Sequence, residues 1–211
     1  MPSTDADAQN QHRPEDLTLG QEHLKHLLGL ARNALQMGYQ DVSGLGVSDE
    51  GQLPPILKQN VACCVRIYER ESGLLRGEKV SFQTDQIMVN ELIRNVSSAG
   101  YQDPNFLPIT PEEVPKLRIQ ITLINPPEQF RVTGPEQMAQ VIAQRAAELP
   151  GLVIQDAAQP GIFAYTLPMD WQQFPQPADL VGELMRRSGA PPGHWPDSMI
   201  SMLFIGINFT D

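Results

Sequence analysis

The chain reads as an α+β protein, with a mixed, largely antiparallel sheet and flanking helices. Two observations predict this. Apolar residues recur at helical spacing in some stretches and alternate strictly in others. The strand candidates also pair through short turns rather than through helical crossovers. The 19 prolines among 211 residues add many connections and short elements.

Residues 1–16 are polar and aperiodic, which predicts a disordered tail ahead of a single domain over residues 17–211. A helix is expected from Leu17, with Thr18 as a cap, an apolar stripe of Leu24, Leu27, Leu28, Ala31 and Leu35, and a stop at Gly38. Residues 41–55, rich in Gly, Ser, Asp and Pro, read as a loop. Residues 61–68 read as a strand, 69–73 as a hairpin turn and 74–82 as the returning strand. Asp85 is expected to cap a helix carrying Ile87, Leu92, Ile93 and Val96 inward and ended by Gly100.

Thr110-Pro111-Glu112-Glu113 has the form of a capping box, and Pro115 limits it to one turn. Leu117, Ile119, Ile121 and Leu123 then alternate with Arg118, Gln120 and Thr122, a strand with one solvated face. A helix is expected from Pro135 to Leu149, short strands at 152–154 and 163–166, and a helix over 179–188 ended by Gly189. Residues 199–209 read as one long apolar strand.

The formal net charge is −10, and no Lys/Arg run opposes it, so nucleic acid is not an expected partner. No run of about 18 apolar residues exists to span a membrane, and the first residues lack the pattern of a secretory signal. Cys63 and Cys64 are the two cysteines. As strand neighbours they point to opposite faces, where a mutual disulfide would be strained, and a reducing cytoplasm is the expected setting. No Walker loop, Gly-x-Gly-x-x-Gly, HExxH or Gly-x-Ser-x-Gly elbow occurs, which removes the common nucleotide, zinc-protease and hydrolase readings.

Four segments in order carry a family resemblance: Leu75-Arg76-Gly77-Glu78-Lys79-Val80; Tyr101-Gln102-Asp103-Pro104-Asn105-Phe106-Leu107-Pro108-Ile109; Pro126-Pro127-Glu128; and Ser188-Gly189-Ala190-Pro191-Pro192-Gly193-His194-Trp195. Together they resemble the AMMECR-type domain family over most of the chain, from about Leu24 to Phe209. The resemblance implies two lobes of mixed sheet and helix with a cleft between them, no cofactor in the chain itself, and a Memo-like or radical-SAM protein as a partner. It implies no reaction. The chain departs from the family at two points. Glu78 stands where the family has a cysteine after Arg-Gly, and Leu167-Pro168-Met169 stands where the family commonly has Leu-Pro-Gln. Family chemistry through that thiol or that amide is not available here unchanged.

Arg76 and Glu78 are two apart on a strand and share a face, so with Asp103 they could bind or protonate a small polar ligand. The competing reading is a solvated hairpin ion pair, with Asp103 starting an Asx turn and Phe106 anchoring it. Arg76, Gly77, Phe106 and Trp195 form the candidate ligand-contacting set, although the favoured reading of Trp195 is a buried anchor for the last strand. His23 and His26 have metal-pair spacing but no third ligand. The vicinal cysteines read as one core thiol and one bystander.

The expected function is therefore a cytoplasmic module binding a protein partner or a small molecule. The alternative is an enzyme of unknown reaction in a cleft around Arg76, Glu78 and Asp103, which needs a carboxylate raised by burial. A third possibility is dimerisation through the apolar strand at 199–209.

Overall fold

The computed structural model describes residues 19–38 and 53–211. The tail expected at 1–16, the Leu17 start with its Thr18 cap and most of the expected 41–55 loop lie outside these residues. The described part is α+β, with four α-helices and two four-stranded sheets in which every recorded strand pairing is antiparallel.

The first sheet has the order β2-β1-β3-β8, from β1 (Ala62–Glu69), β2 (Leu75–Val80), β3 (Leu117–Ile124) and β8 (Gly206–Thr210). Cys63, Val65, Ile67, Ile119 and Ile121 face α1 (Gln21–Met37) and α2 (Met88–Tyr101), forming one core with Leu27, Leu35, Leu92 and Val96. The second sheet has the order β4-β7-β5-β6, from β4 (Glu128–Phe130), β5 (Gly151–Asp156), β6 (Phe163–Thr166) and β7 (Met199–Phe204). Its outer face buries Leu152, Ile154 and Leu203 against α3 (Pro135–Ala143) and α4 (Pro177–Ser188). The remaining faces of the two sheets meet over Ala62, Cys64, Ile124, Val153, Leu167 and Phe204. Period-two alternation thus places Cys63 in one core and Cys64 in another. Burial pushes the Cys63 thiol up to about 12, and the Cys64 thiol also goes well up, through burial and then the Glu78 charge.

Several expectations need correction. Residues 199–209 are not one strand: β7 belongs to the second sheet and β8 to the first. The chain changes sheets at Ile205 and Gly206, where an added Cβ would lie 2.8 Å from Thr122 Cγ2 and 3.0 Å from the Leu123 carbonyl. Apolar continuity here means service in two cores, which removes the sequence argument for a dimerising strand. Asp85 does not cap α2. The residue ahead of that helix is Ile87, and the Met88 N–H donates to the Gln59 carbonyl at 2.8 Å. Gly100 lies inside α2, where its Cβ would meet Leu35 Cδ1 at 2.8 Å, so glycine permits the α1–α2 approach. The third helix stops at Ala143 and is followed by a 3-10 turn, Ala146–Glu148. Leu149, at φ 49°, precedes Pro150, whose ring disfavours helix at the preceding residue. The second face of β3 is covered toward its C-terminal end, where Thr122 is 1% exposed and Ile124 joins the core between the sheets.

Other elements stand close to expectation. β1, β2, β3, β5, β6 and α4 form, and Gly189 ends α4 in the left-handed region at φ 66°. The Glu113 carboxylate accepts from the Thr110 N–H at 2.8 Å, one half of the expected capping box. No helix among the described residues is long and apolar enough to cross a membrane.

Candidate functional site

On β2, Gly77 faces α2 and Glu78 takes the opposite face, while Arg76 is the unpaired residue of a bulge, so the expected shared face of Arg76 and Glu78 does not follow from alternation. They turn to different partners. Arg76 grips Glu113, with Nε to Oε1 at 2.9 Å and Nη2 to Oε2 at 3.2 Å, and donates to the Leu107 carbonyl at 2.6 Å. These bonds staple the segment after α2 to the edge strand. Among the described residues Asp103 forms no ion pair with Arg76, whose partner is Glu113. Asp103 Oδ2 accepts the Glu78 N–H at 2.8 Å and its Oδ1 accepts the Asn105 N–H at 2.8 Å. The first bond covers a donor of an edge strand and the second makes an Asx turn. Phe106, next in that segment, is half-buried.

Glu78 points into the seam between the sheets. Its carboxylate accepts from Arg66 Nε and from the Tyr165 hydroxyl. Arg66 Nη1 continues to Asp170 at 3.3 Å, and Asp170 accepts from Arg187 Nη1 at 2.8 Å and from the Leu167 N–H at 3.0 Å. Arg187 in turn reaches Glu183 at 2.8 Å. Burial opposes the charge on Arg66, but Glu78, Cys64 and Asp170 outweigh it and hold the guanidinium above its ordinary range. Burial and the Glu78 charge push the Tyr165 phenol well up, so it remains a hydrogen-bond donor. The Arg66–Asp170–Arg187 chain was not legible as a motif. The one sequence signal was Arg66 itself, a cation inside the apolar strand ACCVRIYE.

Hydrogen bonds from Arg186 and Arg187 outweigh burial and pull the Glu183 carboxyl down to about 2. A depressed carboxyl contributes stability that is complete above its unfolded value and is lost as pH falls through the folded one. Acid titration of the wild type should therefore show a loss between about pH 4.5 and 2 that is smaller in Glu183→Gln. Identical acid slopes for the two proteins would show that this carboxylate is not linked to folding.

Trp195 lies elsewhere. It lines a groove of about 480 Å³ with Gln129, Phe130, Arg131, Thr133, Asp197 and Met199 among its walls. Arg76, Gly77, Glu78, Asp103 and Phe106 do not line it. The Trp195 indole donates to the Val132 carbonyl at 3.0 Å and packs beside the core under α3 and α4. Its loop is tied down by Asp156, which is fully buried and accepts from Ser198 at 2.6 Å and faces His194 Nε2 at 3.0 Å. The Ser198 bond, with those from His194 and the Ala158 N–H, outweighs burial and lowers the Asp156 carboxyl. Among the described residues Arg131 and Asp197 have no ion-pair or hydrogen-bond partner, and both are exposed.

His23 Nδ1 accepts the Gly20 N–H at 3.2 Å at the start of α1. Among the described residues no group of three His, Cys, Asp or Glu side chains is placed to hold a metal ion.

Residues 28–206 match AMMECR1, and the chain belongs to that family. A protein of Methanothermobacter thermautotrophicus is 24% identical over 153 residues, covering 72% of this chain and 76% of the relative. An Aquifex aeolicus relative is 29% identical over 99 residues, and the match spans about half of each, 47% and 48%. The crystal structure of the uncharacterized protein PH0010 from Pyrococcus horikoshii superposes with a TM-score of 0.73 at 20% identity, over 88% of this chain and 90% of that one. That likeness speaks for the fold.

Proposed function

We propose that the chain is a cytoplasmic binding module whose ligand seat is the groove beside Trp195. One contrast carries this reading. At the Arg76–Glu78–Asp103 edge every charged group is engaged by another group of the protein. In the groove an apolar wall of Phe130, Trp195 and Met199 stands with two charges, Arg131 and Asp197, that have no partner among the described residues. About 480 Å³ also falls within the range of small-ligand pockets, roughly 300–1,000 Å³. The alternative, an enzyme built on Arg76, Glu78 and Asp103, needs a carboxylate free to exchange a proton. Glu78 is held from both sides, and Asp103 is engaged by backbone donors.

A fragment screen read by nitrogen-15 NMR tests the seat. Hits should move the Trp195 indole signal and the groove amides, and should lose affinity in Trp195→Ala and in the exposed variant Asp197→Lys. Hits that map only to other surfaces, or no hits at about 1 mM, would defeat the reading.

A further inference from the structure

We infer that the groove receives an extended peptide segment of a partner, laid beside β7 where β4 stops; this deepens the binding reading above and rests on it. In an antiparallel sheet, successive residues of a strand direct their backbone groups alternately to its two neighbours. On the β5 side of β7, the Ser198 carbonyl accepts from the Ala157 N–H at 3.0 Å. Alternation from this point directs Ser201 and Leu203 toward β4, where they pair with Phe130 and Glu128. It directs Met199 to the same side.

The β4–β7 ladder ends at Phe130 and Ser201. Arg131, Val132 and Thr133 continue outside the strand as part of the groove wall, and the Val132 carbonyl is taken by the Trp195 indole. The Met199 N–H is occupied by the Pro196 carbonyl at 2.9 Å. The Met199 carbonyl, on the groove side by this alternation, accepts no recorded hydrogen bond among the described residues, and the residue opposite it by register, Val132, lies outside the strand. A sheet edge of this kind is what an added strand extends, with backbone bonds giving affinity and alternate side chains giving selectivity.

The charges fit the same occupant. Arg131 and Asp197 offer opposite signs at one groove. A peptide with apolar residues between a basic and an acidic one supplies an N–H for Met199, side chains for the Phe130–Trp195 wall, and both counter-charges. A wholly apolar ligand would leave all three polar groups unmatched.

The probe is an acetylated, amidated Lys-Val-Thr-Val-Glu peptide titrated into the nitrogen-15-labelled full chain. Two relatives accompany it, one N-methylated at its central residue and one at its second and fourth residues. Strand addition directs only one parity of N–H at the protein. The parent should shift the groove amides, and one methylated peptide should bind about tenfold more weakly while the other keeps its affinity. The charge-exchanged double variant, Arg131→Glu with Asp197→Lys, should weaken the parent peptide and favour Glu-Val-Thr-Val-Lys. Equal binding of both methylated peptides overturns the inference, as do shifts outside the groove or no shift at about 1 mM. If fragments bind the groove and the peptide does not, strand addition fails while the binding reading stands. If neither binds, both fail.

Discussion

Arg66→Ala should destabilise the protein by about 3–5 kcal/mol, the range for breaking a buried pair by removing one partner. The guanidinium is 11% exposed and touches two carboxylates, Glu78 at 20% and Asp170 at 8% exposure. Truncation leaves both facing the same seam without the charge between them. Glu78 keeps the Tyr165 hydroxyl and Asp170 keeps Arg187, which bounds the loss from above. Arg66→Lys should lose less, because the charge survives while the two-pronged geometry does not. Urea unfolding with an unchanged m-value is the measurement. A loss below about 1 kcal/mol would mean that water screens this network as it screens a surface pair. Glu78→Gln separates charge from shape: the amide can still accept from Tyr165, so its cost should fall well below that of Arg66→Ala.

The network also marks where sequence reading ends. Local signals were legible: the β1–β2 hairpin, the alternation of β3, the Asx turn at Asp103 and the stop of α4 at Gly189. Each depends on spacing within a few residues. The partners of Glu78 depend on how two sheets meet, and Tyr165 lies 87 residues away with no motif joining them. The break between β7 and β8 was hidden for a related reason. Burial in two different cores looks, residue by residue, like one continuous apolar strand, and Gly206 alone marked the change. The groove escaped notice because β4 is three residues long and follows two prolines, too short for any periodicity. Trp195 was singled out together with Arg76, Gly77 and Phe106, and the fold places it away from them.

Gly77→Ala should cost about 3 kcal/mol or more, at or beyond the upper end for inserting a methyl into a packed interior. An ideal Cβ there would lie 2.1 Å from the Ala99 carbonyl oxygen and 3.0 Å from its carbon. The obstacle is backbone in the last turn of α2, so no rotamer change relieves it. Either β2 must slide from β1, where Gly77 pairs with Ile67, or α2 must lift from the core that holds Leu92 and Val96. Gly182→Ala is the matched control: nothing lies within 4 Å of its Cβ, and it sits in α4, so alanine should stabilise by up to about 1 kcal/mol. Thermal unfolding of both variants compares them directly. A Gly77→Ala protein as stable as wild type would show that this glycine is not kept for close packing, and would return the Arg-Gly-Glu edge to consideration as a ligand-contacting surface. A large loss, with groove binding retained in the fraction that remains folded, would assign Gly77 to the scaffold and the ligand to the far sheet. Since Gly77 lies in the first sheet and Trp195 packs against the core of the second, stability and binding can be separated by mutation, which a site centred on the hairpin would not allow.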